Sequence, residues 1–217
     1  MSRDAFLLSL KAKIETLFTT YTKLLHTQEQ QDIMRNGFVF SKIDPTANVL
    51  VMGINPSLRT DFISDDDMCS YDYSKLNEDR YFKKFYNLLS ALEPKGITYC
   101  DLFYQRHTEQ KQIAHFLNNE IGKQFLRGQL EITKEVITYV APKLILLFNR
   151  QGGQFFSSEW MDISLDFDKK LSTYNKLAYS YKLESYIYFA PFLGYRTPKT
   201  AFEQLDHDLP LLAKLVN

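Results

Sequence analysis

Short apolar runs separated by stretches of helical spacing constrain the fold of this chain more than any other feature. Residues 49–52 (VLVM) are apolar without alternation, the pattern of a strand buried on both faces. Residues 143–148 (KLILLF) repeat it, and residues 97–103 and 186–190 are further strand candidates. Tyr81, Phe82, Phe85, Leu88, Leu89 and Leu92 lie on one helical face, and Phe125, Gln129, Ile132, Val136 and Val140 on another. Leu7, Leu10, Ile14, Leu17, Tyr21 and Leu24 predict an amphipathic helix before the first strand. Phe202, Leu205, Leu209 and Leu212 predict one after the last, with Pro210 as a kink. Strands alternating with helices predict βαβ units and a mostly parallel sheet covered on both faces.

The connections are read more coarsely. Residues 38–40 are a possible short strand, residues 57–77 read as an acidic loop, and residues 157–185 as irregular and aromatic. The chain divides into an N-terminal helical extension, 1–45, packed on an α/β domain, 46–217. At 217 residues and 45% hydrophobic composition it can bury a sizeable core. No apolar run approaches the ~20 residues of a membrane span, and the start lacks a long apolar leader. The expectation is a cytoplasmic protein with no membrane partner. Cys69 and Cys100 are the only cysteines, too few for a disulfide framework or a four-cysteine iron–sulfur cluster, and no histidine pair has metal-ligand spacing. No cofactor and no metal is expected.

Lys plus Arg and Asp plus Glu both number 26, so nucleic acid would have to be held by a local patch rather than by bulk charge. In a mostly parallel sheet, ligands bind beyond the carboxyl ends of the strands. That rule gives weight to GINPS after Met52, DLFYQRHT after Cys100, NRQGG after Phe148 and APFLGYR after Phe189. Neither a phosphate-binding P-loop nor a dinucleotide fingerprint is present. Gly53 permits close backbone approach, and Pro56 restricts Asn55, whose amide then offers donors and an acceptor in a fixed place. An Asn-Pro pair also makes ordinary turns. Asp101 is either a base-reading carboxylate or a solvated one paired with Arg106. His107 reads as a surface residue, and His26, His115 and His207 fall in expected helices. Residues 191–200 carry two cations, Arg196 and Lys199, and no acid, beside Phe192, Leu193 and Tyr195 around Gly194. Exposed aromatics next to cations suit phosphate tracking and base stacking. Residues 102–127 carry Arg106, Lys111, Lys123 and Arg127 against Glu109 and Glu120, a second mildly basic stretch.

In order along the chain, VLVMGINPS, DRYFKKFYNLLSAL, ITYCDLFYQRHT, APKLILLFNRQGGQFF and the run 186–205 resemble the motifs of the uracil-DNA glycosylase superfamily. The likeness is greatest to its mismatch-specific uracil/thymine-DNA glycosylase branch and covers about residues 48–212. The resemblance implies a three-layer α/β/α domain with a central four-stranded parallel sheet in the order 2-1-3-4. It implies DNA repair by base excision, on single- or double-stranded DNA, through base flipping and hydrolysis of the N-glycosidic bond. Asn55 matches the residue that positions the attacking water. Gly53, Ile54, Phe62, Tyr81, Phe82, Asp101 and Asn149 are the implied base-binding set. Ser57, Arg106, Pro191, Phe192, Leu193, Gly194, Tyr195, Arg196 and Lys199 are the implied DNA contacts. The last motif departs from the family: Ala190-Pro191-Phe192 stands where His-Pro-Ser or Asn-Pro-Ser is usual. A non-catalytic nucleic-acid or nucleobase-binding module is therefore the alternative. An ionised Asp101 only accepts hydrogen bonds, so uracil is not the expected best substrate.

Overall fold

The computed structural model describes residues 1–58, 68–72, 82–148, 150–167, 177–190 and 198–216. The first helix, α1 (Arg3–Thr22), starts where the Ser2 hydroxyl accepts from the Ala5 N–H, and it buries Phe6, Leu7, Leu10, Ile14 and Phe18 along one face. The next, α2 (Gln28–Arg35), is capped by Thr27, whose hydroxyl accepts from the Gln30 N–H. Then come β1 (Phe40–Ser41), β2 (Val49–Gly53) and β3 (Ser70–Tyr71). The helix α3 (Phe82–Leu89) runs into a 3-10 turn that Gly96 ends with φ 72°, a backbone state open to glycine, and β4 (Ile97–Asp101) follows. The short α4 (Ala114–Leu117) precedes α5 (Glu120–Val140), which is capped by Asn119 and leads to β5 (Leu144–Phe148). Beyond it lie α6 (Arg150–Gly153), α7 (Ser158–Met161), β6 (Asp166–Phe167), β7 (Leu177–Ser180), β8 (Ser185–Ala190) and α8 (Lys199–Leu212).

The main sheet has six strands in the order β4-β2-β5-β8-β7-β6. β4, β2, β5 and β8 run parallel, whereas β7 is antiparallel to both β8 and β6. Val51 lies opposite Tyr99 on one side and Leu146 on the other. The period of two along each strand divides its side chains between two cores. Leu50, Met52, Cys100, Ile145, Leu147 and Ile187 pack with α1, α4 and α5. Val49, Val51, Tyr99, Leu144, Leu146 and Tyr188 pack on the opposite face with Leu89, Leu92 and α8. Every side chain of β2 and β5 is buried, which is why those sequences are apolar at both parities.

The structure corrects several expectations. The sheet is six-stranded and mixed rather than four-stranded and all parallel, because β7 and β6 extend it beyond β8 as an antiparallel pair. Residues 157–185 are not simply irregular: β6 and β7 lie there, and the Leu177–Tyr188 register makes a short antiparallel hairpin. Residues 57–77 include β3, which pairs in parallel with β1. α1 ends at Thr22, so Leu24 is exposed and Leu25 takes the buried position. His26 falls in the loop between α1 and α2 rather than in a helix. No described helix is long and apolar enough to cross a membrane.

Candidate functional site

β2 delivers Gly53, Ile54 and Asn55 to the carboxyl rim of the sheet. Its parallel pairing continues past the ends of the strands, with Leu102 N–H donating to Gly53 O at 3.0 Å and Phe103 N–H to Ile54 O at 2.9 Å. The two exit loops are then tied by His107 N–H donating to Pro56 O at 3.1 Å. Asn55 sits in that junction. Its Nδ2 donates to His107 O at 2.7 Å and to Pro56 O at 2.9 Å. Both partners are carbonyls, so the nitrogen must face them, and the orientation of the amide is fixed by chemistry. Oδ1 therefore points away from the junction, and among the described residues nothing donates to it. This half-buried side chain is a fixed acceptor at the end of the central strand.

Asp101 ends β4 beside Gly53, its register partner. The Tyr71 hydroxyl donates to Oδ2 at 2.8 Å and the Tyr99 hydroxyl to Oδ1 at 2.9 Å. The carboxyl is only 4% exposed. Burial pushes its pKa up to about 7, against the opposing pull of the two tyrosine hydrogen bonds. Asp101 is thus neither the solvated nor the Arg106-paired residue expected from sequence. Arg106 instead donates to Leu58 O at 3.0 Å. A Cβ at position 53 would overlap the Tyr99 hydroxyl and Asp101 Oδ1, so glycine there makes room for the pair. Gly53→Ala is expected to cost about 1–3 kcal/mol, as overpacking that displaces buried polar groups does, and to lower the urea midpoint accordingly.

His107 also departs from its expected surface position, being 1% exposed. Its Nδ1 lies 3.1 Å from Glu109 O, a carbonyl, so Nδ1 carries the proton. Burial lowers its pKa to about 4 and keeps the ring neutral at pH 7. Gln105 is fully buried, and neither end of its amide has a partner. Residues 105–107 therefore lie inside the protein, with Gln105 in an isolated antiparallel bridge to Phe38, whereas Thr108 is exposed.

The structure brings together Gly53, Ile54, Asn55 and Asp101, with half-buried Ser57 just beyond Pro56 and Arg106 braced against Leu58. Lys199 stands at the start of α8, exposed, in an i,i+4 ion pair with Glu203 at 3.3 Å. Phe82 opens α3. Phe62, Tyr81, Asn149, Pro191, Phe192, Leu193, Gly194, Tyr195 and Arg196 lie outside the described residues. Tyr99 was legible as a partner of Asp101, since residues i and i+2 of a strand share a face. Tyr71 arrives from a remote segment and has no such signal. Among the described residues no cluster of three or more His, Cys, Asp or Glu is placed to hold a metal ion. No protein-family model matches the chain, and no curated protein matches it.

Proposed function

We propose that the protein is a DNA glycosylase-like hydrolase that cleaves the N-glycosidic bond of a flipped-out altered or mismatched base. The observation that carries this reading is the Asn55 amide, whose nitrogen is held by two carbonyls and whose oxygen is left as an acceptor. A water donating to Oδ1 is oriented with a lone pair toward the sugar. As the C1′–N bond breaks, its electron pair leaves with the base, the water oxygen bonds to C1′, and the proton the water gives up ends on the departed base anion. Proximity and orientation supply much of the rate in such a step. Four of the six strands, β4, β2, β5 and β8, run parallel in the sequence order second, first, third, fourth, and they support the same reading with β7 and β6 as additions. Around pH 7 the Asp101 carboxyl exists in both forms, and the neutral form donates as well as accepts. Uracil is disfavoured only by an ionised Asp101, so it belongs among the substrates to test.

One observation favours a binding module without chemistry. Ala190 ends β8 as a buried methyl, so no side chain at that position can support a leaving base. A single assay decides between the two. Excess protein is incubated with single- and double-stranded oligonucleotides carrying uracil, hypoxanthine, a thymine mismatch or an alkylated base, and strands are cleaved with alkali. The expected result is abasic sites at one or more of these bases. Binding without abasic sites anywhere in the panel would leave the module as the function.

A further inference from the structure

The end of α2 braces the Asn55 rim from behind. Residues 104–106 run antiparallel to residues 37–39, with Phe38 opposite Gln105. Val39 N–H donates to Tyr104 O at 3.1 Å, and Arg106 N–H donates to Gly37 O at 3.3 Å. In a regular antiparallel ladder the Gly37 N–H would return the bond to Arg106 O. It cannot, because it closes the end of α2 by donating to Met34 O at 3.0 Å. The Asn36 side chain fills that place, with Nδ2 donating to Arg106 O at 3.1 Å. Gly37 has φ 68°, the backbone state that turns the chain out of α2 and into this pairing.

The next residue serves the rim. His107 N–H donates to Pro56 O at 3.1 Å, and His107 O accepts from Asn55 Nδ2 at 2.7 Å. The peptide that joins Arg106 to His107 is therefore bonded at both ends. Its oxygen accepts from Asn36, and its nitrogen donates to Pro56. A bond accepted at the oxygen of a peptide polarises it and strengthens the bond donated by its nitrogen. α2 is itself held fast, since Gln30, Ile33 and Met34 are buried and Gln30 Nε2 donates to His115 O at 2.9 Å. A fixed helix end thus holds one side of the segment whose other side holds Asn55.

We infer that Asn36 is a positioning residue for Asn55: its side-chain amide holds the Arg106–His107 peptide and so fixes the His107 carbonyl that orients the Asn55 amide. The inference rests on the glycosylase reading for its effect on base release, whereas its effect on the Asn55 amide stands apart from that reading. Asn36 precedes residues 48–212, so the resemblance to the glycosylase motifs gives it no part. The N-terminal extension then belongs to the site and is more than a cover packed on the domain.

The test uses the full chain, isotopically labelled for nuclear magnetic resonance. Asn36→Ala deletes the donor, and Asn36→Asp keeps its shape but turns an oxygen toward Arg106 O. Thr27→Ala is the control. It removes the cap at the other end of α2, where the Thr27 hydroxyl accepts from the Gln30 N–H, and so weakens the helix without touching Arg106. The side-chain amide signals of Asn55, identified by their disappearance in Asn55→Ala, are read in each protein. In the native chain they should stand apart from those of a free asparagine, because the nitrogen is bonded to two carbonyls. Both Asn36 variants should move them toward the free position and lower single-turnover base release about tenfold, with affinity for the same oligonucleotide unchanged. Thr27→Ala should lower the urea midpoint and leave both the signals and base release as they are. Unmoved Asn55 signals in both Asn36 variants overturn the inference, as do shifted signals with native base release. Signals that shift as far in Thr27→Ala overturn it too, since Asn36 would then be one more support of α2. If the native protein releases no base from any oligonucleotide, the glycosylase reading fails alone, and the Asn55 signals still decide whether Asn36 positions that side chain.

Discussion

Asp101→Asn should stabilise the protein above pH 7 by roughly 4 kcal/mol and reshape its stability profile. The cause is a carboxyl buried with two phenols and, among the described residues, no cation. Tyr71 of β3 and Tyr99 of β4 donate to it, and among the described residues no Lys or Arg shifts its titration. Its pKa is about 7 in the folded state against an ordinary 3.8. Between those values the unfolded chain has released the proton that the folded chain still holds. The folded state binds more protons there, so stability falls as pH rises, by up to ~1.4 kcal/mol per pH unit. Above pH 7 the loss is complete. Asparagine cannot ionise, and its oxygen and nitrogen can still pair with two hydroxyls.

His107 acts in the opposite sense. Its folded-state pKa is about 4 against an ordinary 6.5, so the unfolded chain takes up a proton first as pH falls. Stability contributed by His107 is present above pH 6.5 and is lost, by roughly 3 kcal/mol, on going down to pH 4. In the native protein the two slopes nearly cancel between pH 4 and 6.5. In Asp101→Asn the His107 slope stands alone, and stability climbs with pH across that window. Urea midpoints for both proteins from pH 4 to 8 check this. Two parallel profiles would show that Asp101 titrates normally and that its burial has no energetic consequence.

The sheet was readable because its strands bury both faces. A residue run such as VLVM or KLILLF has no solvent-facing position for a polar side chain, so its apolar character marks it without alternation. Residues 97–103 and 186–190 were placed by the same logic, and the strands found there, Ile97–Asp101 and Ser185–Ala190, differ only at their ends. β6 escaped because both of its residues are exposed and it is held only by its partner β7. β3 escaped for a similar reason: two residues pair with β1, and nothing local dictates it. α2 hid in a polar stretch because Thr27 and Gln28 signal a helix start only when the buried Gln30, Ile33 and Met34 behind them are recognised as one face. At the site, Asn55 was legible because Gly-x-Asn-Pro follows a strand at a sheet's carboxyl rim. The burial of Asp101 and His107 was not, because charge type predicts exposure, and only the tertiary packing of Tyr71, Tyr99, α2 and α4 overrides it.

On the proposed glycosylase reading, Asn55→Ala should lower single-turnover base release by roughly 10²–10³-fold, the range reached when one positioned polar group is deleted from an active site. Two effects of the substitution must be separated. Alanine removes the Oδ1 acceptor to which the proposed water would donate. It also removes the Nδ2 bonds that tie the Pro56 and His107 carbonyls together, which are worth about 0.5–1.5 kcal/mol each to the loop junction. The backbone bond from His107 N–H to Pro56 O remains and keeps the two loops joined, so DNA binding should change little. Asn55→Asp sharpens the distinction. An aspartate keeps an acceptor for the water but turns its other oxygen toward two carbonyls, where only repulsion is available. Its side chain must rotate away, and base release should fall as it does in the alanine variant, despite the added negative charge. If water activation needed only a carboxylate at this position, the aspartate variant would equal or exceed the native protein. Orientation by the two carbonyls, rather than basicity, is the property under test. Base release in both variants, measured with excess protein and compared with their affinity for the same oligonucleotide, reads that property directly.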